Sequence, residues 1–95
     1  MNAAYAIGRI TVKNDVLWAE YRSKVPDTLA PWRGELVFRG SQCAALAGTC
    51  AEADVVVLRF PDTAALQGWY ASAAYQALIP LREAAADVVL TAYET

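Results

Sequence analysis

The chain has 95 residues, 57% of them apolar and 19% charged, with a formal net charge of -2 and no histidine. That length fits one domain with a small core, which buries only ~60 to 65% of its unfolded surface. The eight basic residues are scattered, which excludes an electrostatic footprint for nucleic acid or anionic lipid. The missing histidine excludes serine triads and His-based metal and haem sites.

The apolar share exceeds the ~45 to 50% of typical soluble domains while charge falls short of the usual ~25%. Little charge is therefore available to cover a free monomer, and oligomerisation is the simplest remedy. The N-terminal stretch MNAAYAIGRITV lacks a basic region and an apolar run of signal-peptide length. No stretch approaches the ~20 apolar residues of a membrane span, so a cytoplasmic protein with no membrane partner is expected. Cys43 and Cys50 are too few for a zinc site and read as free thiols, paired only if their segment folds back. Neither a metal nor a cofactor is implied.

Tyr5 to Val12, YAIGRITV, alternates as a strand with Tyr5, Ile7, Arg9 and Thr11 on one face and Ala6, Gly8, Ile10 and Val12 on the other. Small Ala6 and Gly8 mark the second face as the one a helix covers, which sends Arg9 the opposite way. Asn14 or Asp15 is the N-cap of a helix whose Trp18, Tyr21, Val25, Leu29 and Trp32 recur at spacings of three and four. Pro26 is expected to break or kink that helix, Asp27 to restart a turn and Gly34 to stop it. Glu35 to Arg39, ELVFR, is a second strand with Leu36 and Phe38 on one side and Glu35, Val37 and Arg39 on the other. From Gln42 to Asp54 the pattern is weak, with a short strand expected over Ala44 to Leu46 and loop elsewhere.

Val55 to Phe60, VVVLRF, is apolar on both faces as a central strand must be. Asp62 caps a helix to Ala71, Ser72 caps a second run to Ala86 that Pro80 should kink, and Val88 to Tyr93 is a fourth strand. The order βαββαβ predicts a single α+β domain of ferredoxin-like type, with a four-stranded antiparallel or mixed sheet and both helical crossovers on one face. The first and third strands are expected as parallel neighbours at its centre. The opposite face would carry Tyr5, Ile7, Val37, Val55, Val57 and Val89, an apolar patch that a soluble monomer seldom exposes. A homodimer through that sheet face follows.

The pieces AIGRITV, AEYRSKVPDTLAPW, FRG and LRFPDTAALQGWYASAAYQALIPLREAAA resemble small bacterial proteins grouped as the thirteen-thirty domain of unknown function. The most specific part is the series Phe60, Pro61, Trp69, Tyr70, Ser72, Tyr75, Gln76 and Arg82, supported by Tyr21, Pro26, Gly34, Arg39 and Gly40. The resemblance covers nearly the whole chain and implies a dimeric α+β barrel, in which two ferredoxin-like protomers pack sheet against sheet. It implies no general activity. In this chain Arg59 stands where the family more often has an acidic residue, and Arg33 and Ser41 replace glycines common in its members. The loop holding Cys43 and Cys50 lacks the family's usual acidic and tryptophan-containing sequence.

By simple alternation Arg9, Arg39 and Arg59 share the face away from the helices, and two readings fit them. They form an anion site that holds a carboxylate or enolate, oriented by Tyr5 or Tyr93, or they pair with Glu35, Glu94 or a partner chain at a dimer rim. Trp69 and Tyr75, near Tyr70, Ser72 and Gln76, are either core or the wall of a pocket between helices and sheet. Two functions remain open. The chain is a cofactor-free enzyme, monooxygenase-like or isomerase-like by analogy within the barrel group, acting on a small anionic or aromatic substrate; or it is a non-catalytic ligand-binding or structural dimer.

Overall fold

The computed structural model describes residues 3–95. Strand β1 (Ala4–Val12) alternates as its sequence requires, with Ala4, Ala6, Gly8 and Ile10 buried and Tyr5, Ile7 and Arg9 only partly covered. Asn14 caps α1 (Asp15–Leu29), its side chain accepting from the Leu17 amide at 3.0 Å. The helix does not break at Pro26. Both Arg22 and Pro26 are exposed, so the Arg22 carbonyl that a proline cannot bond is free to meet solvent. A 3-10 turn (Ala30–Trp32) follows and ends in Arg33, whose φ of 55° lies in the left-handed region. Gly34 serves space rather than a left-handed turn, since a Cβ there would sit 2.7 Å from the Phe60 ring.

Strands β2 (Glu35–Ser41) and β3 (Asp54–Phe60) flank the loop 42–53, in which the short strand expected over Ala44 to Leu46 does not form. That stretch has no alternation and no partner strand, and Leu46 is exposed. Asp62 caps α2 (Thr63–Ala71) through the Ala65 amide at 2.7 Å, and Ser72 caps α3 (Ala73–Gln76) through the Tyr75 amide at 3.2 Å. The second helical run is not one kinked helix. Pro80 lies in the first turn of a separate α4 (Ile79–Ala85), where its missing N–H forfeits no helical bond. Strand β4 (Ala86–Glu94) completes the chain.

The sheet order is β2-β3-β1-β4, and every neighbouring pair is antiparallel. Strands β1 and β3 are central neighbours, as expected, but they run in opposite directions. The crossover through α1 makes β1 and β2 run the same way, and β3 inserts between them antiparallel to both. The result is the ferredoxin-like α+β arrangement. Helices cover one face, where Ala6, Leu29, Leu58, Phe60, Leu66, Trp69 and Tyr75 form one core cluster and Ile10, Trp18, Ala85 and Ala86 a second. Gly68 lets Trp32 lie against α2, because a Cβ at that position would fall 2.3 Å from the indole.

A register shift in β2 decides where the functional side chains point. Leu36 sits opposite Leu58 but Phe38 opposite Val57, so Val37 is an extra residue, a β-bulge. Every residue beyond it changes face relative to simple alternation. Arg39 lies opposite Val56 and joins Gly8 on the helix-covered face, while Phe38 moves to the free face. The free face therefore carries Tyr5, Ile7, Val55, Val57 and Val89 as expected, with Phe38 where Val37 was expected. Phe38, Val89 and Tyr93 are each about half exposed there.

Candidate functional site

The bulge delivers Arg39 to a cleft between α1 and the sheet. Its outer part, about 260 Å³, is lined by Ile10, Trp18, Arg22, Arg39, Ser41 and Asp54 among others. An inner slot of about 40 Å³ adjoins it, walled by Trp18, Tyr21, Val25, Arg39, Trp69 and Tyr75. Trp18 and Arg39 border both spaces, so the guanidinium stands where the open vestibule meets the aromatic slot.

Hydrogen bonds fix the aromatic walls. Trp69 Nε1 donates to Thr28 Oγ1 at 3.0 Å, and that hydroxyl donates to the Val25 carbonyl at 2.6 Å. The Trp69 ring lies 4.3 Å from Tyr75 and 5.3 Å from Phe60, while Trp18 stacks on Tyr21 at 5.1 Å. The Tyr21 and Tyr75 hydroxyl oxygens are 2.8 Å apart, and Arg82 Nη1 donates to Tyr75 Oη at 3.0 Å. Ser72 is structural: its Oγ donates to the Trp69 carbonyl at 2.6 Å and caps α3.

The electrostatics are lopsided. Partial burial, and then the neighbouring Arg22 guanidinium, hold Arg39 below the usual guanidinium range. Among the described residues no carboxylate forms an ion pair with Arg39. Asp54 shares the vestibule but accepts from Ser41 Oγ at 2.9 Å. Burial, followed by the adjacent Tyr75 phenol, pushes Tyr21 above the usual phenol range, so its hydroxyl stays protonated. Such a site can hold an anionic group beside Arg39 with an attached ring in the outer part against Trp18, whereas the inner slot is too small for a ring and its Trp69 and Tyr75 walls are fully buried.

Of the residues picked from sequence, the structure brings Arg39, Trp69 and Tyr75 together and separates Arg9 and Arg59 from them. Arg59 lies on the free face, paired with Glu35 at 3.3 Å. Arg9 lies on that face too, close enough to Tyr93 to help lower its ionisation, behind the Thr91 hydroxyl. Glu94 partners no arginine among the described residues, since it accepts from Thr63 Oγ1 at 2.6 Å. Sequence reasoning missed Tyr21 and Arg22 as cleft residues and Arg82 as the donor behind Tyr75. Tyr21 stood in the apolar stripe of α1, and its polar tip was the available signal; its partner Tyr75 is 54 positions away. Both cysteines are free thiols, and among the described residues no three His, Cys, Asp or Glu side chains cluster as metal ligands would. No described helix is long and apolar enough to cross a membrane.

The family model described as a domain of unknown function (DUF1330) matches residues 3–95. The chain belongs to the DUF1330 family. Several solved structures share the fold of this DUF1330 chain. A protein of unknown function from Rhodopseudomonas palustris, RPA0582, is 17% identical with a TM-score of 0.81, covering 99% of this chain and 82% of that one. A dimeric ferredoxin-like protein of unknown function from Jannaschia sp. CCS1 is 15% identical with a TM-score of 0.69, covering 98% and 99%. SnoaB, a cofactor-independent oxygenase from Streptomyces nogalater, is 12% identical with a TM-score of 0.70, covering 98% and 92%. A comparison with curated proteins gives no match. At these identities the likeness shows the ferredoxin-like fold and leaves the chemistry to the site.

Proposed function

We propose that this DUF1330 protein is a homodimer, joined through its free sheet faces, whose helix-covered cleft in each protomer binds a small anionic or aromatic molecule and transforms it without a cofactor. The observation that carries the reading is Arg39, turned by the Val37 bulge into an aromatic cleft with no carboxylate among the described residues paired to it. A guanidinium so placed grips a carboxylate bidentately or donates to a phenolate oxygen, while Trp18 flanks an attached ring in the outer part of the cleft. The half-exposed Phe38 and Val89 beside Ile7 and Val57 support sheet-to-sheet dimerisation, since that apolar face lacks any helix. The cofactor-independent oxygenase SnoaB, with a similar fold, lends the catalytic part of the reading its analogy.

One feature favours a second reading, a ligand-binding dimer without turnover: among the described residues no carboxylate lines the inner slot to act as a base. Calorimetric titration with benzoate and 4-hydroxybenzoate tests the shared core of both readings. One site per protomer is expected, and light scattering should give twice the 10.3 kDa chain mass. Absence of binding by either compound would remove the cleft from consideration, and a clean monomer at micromolar concentration would remove the dimer. Product analysis with the tighter ligand under oxygen then separates enzyme from binder.

A further inference from the structure

Direction in the buried hydrogen-bond chain assigns a role to the Tyr21 hydroxyl, on the reading that the cleft holds an anion. Arginine only donates, so the bond between Arg82 Nη1 and Tyr75 Oη occupies an acceptor site of Tyr75 and leaves its proton unplaced. Tyr75 is fully buried, and among the described residues the acceptor in reach of its proton is Tyr21 Oη, 2.8 Å away. A buried hydroxyl proton left without an acceptor costs ~1 to 3 kcal/mol, so Tyr75 donates to Tyr21. The Tyr21 proton is then the free end of the chain. Tyr21 lines the inner slot together with Arg39, and its oxygen feels both the Arg82 and the Arg39 guanidinium.

We infer that the Tyr21 hydroxyl donates to the negative oxygen of a phenolate or enolate held beside Arg39, with Tyr75 and Arg82 positioning and polarising that donor from behind. Each donor in the series Arg82, Tyr75, Tyr21 strengthens the next, because a hydrogen bond received makes a hydroxyl a better donor. The ligand class narrows accordingly. A neutral aromatic gains only the walls, a simple carboxylate gains the mouth through Arg39 and Arg22, and a planar oxyanion conjugated to a ring gains both Arg39 and Tyr21.

Bound 4-nitrophenol tests this, because its phenolate absorbance reports which protonation state the cleft prefers. In the wild-type protein the bound probe should ionise at a lower pH than the free probe, under the combined pull of Arg39, Arg22 and Tyr21 and against Asp54. Tyr21→Phe should weaken phenolate binding about tenfold relative to the neutral phenol and raise the bound ionisation by about one pH unit. Arg82→Gln should raise it by less, and should add nothing in the Tyr21→Phe background, a coupling that a merely structural Arg82 would not show. A wild-type protein that binds no nitrophenol overturns the inference together with the reading beneath it. Binding with an ionisation unmoved by Tyr21→Phe, in a variant whose melting temperature confirms folding, overturns the inference alone.

Discussion

Arg39 and Arg59 come from neighbouring strands of one sheet, yet they stand in opposite company. Arg59 pairs directly across the strands with Glu35 on a face that no helix covers. Arg39, two residues past a bulge, shares a cleft with Trp18 and Tyr21 under α1, with the Arg22 guanidinium beside it and, among the described residues, no carboxylate paired to it. The bulge at Val37 makes the difference, since regular pairing through Val37 would put Arg39 on the same face as Arg59. A paired arginine on an open sheet face suits an interface, whereas an unpaired one beside aromatic walls suits an anion.

The contrast can be broken at its core first. Trp69→Ala removes a fully buried ring and its bond to Thr28, and should cost ~3 to 5 kcal/mol in urea unfolding. Deleting Val37 is more pointed. It removes the extra residue while Phe38 stays opposite Val57 and Arg39 opposite Val56, so Arg39 should stay in the cleft. Benzoate affinity should then change by less than about threefold by calorimetry, with circular dichroism still that of the α+β fold; a large loss would mean that the bulge itself shapes the site. Arg33→Gly relieves a left-handed residue remote from both faces and should stabilise the chain by ~1 kcal/mol without touching ligand affinity.

Two tyrosines sharpen the same contrast by titration. Tyr93 on the free face ionises below the usual phenol range, pulled down by the Thr91 hydroxyl and then by Arg9. Tyr21 on the covered face ionises above it, because burial disfavours the phenolate. The sign for stability follows from Tyr21. Its contribution is intact below the unfolded-state value of about 10 and falls as pH rises past it, since the unfolded chain then loses a proton that the folded chain keeps. Tyr21→Phe should flatten that alkaline decline in thermal melts, and Tyr93→Phe should remove the earliest phenol transition in an absorbance titration.

Much of the fold was legible. Alternation in Tyr5 to Val12 identified the covered face, Asn14, Asp62 and Ser72 announced their caps, and βαββαβ order identified the ferredoxin-like class. What failed was counting through Val37, because ELVFRGS carries no glycine or proline at the bulge to mark a skipped register. That miscount put Arg39 beside Arg9 and Arg59. The slot was hidden for a different reason: its hydroxyl pair joins α1 to α3, and nothing local to Tyr21 or Tyr75 announces a partner so distant in sequence. Trp69 and Tyr75 were visible as aromatics at helical spacing, but only packing distinguishes a wall from a core, and both are fully buried in the core behind the slot.

Calorimetric titration of benzoate into Arg39→Gln and Arg59→Gln, side by side with the wild-type protein, tests the central claim most directly. Loss of one charge-assisted bidentate contact should weaken binding at least about tenfold in Arg39→Gln and leave Arg59→Gln near wild type. An Arg59→Gln protein that loses as much affinity as Arg39→Gln, or more, would put the anion on the free face and contradict the account.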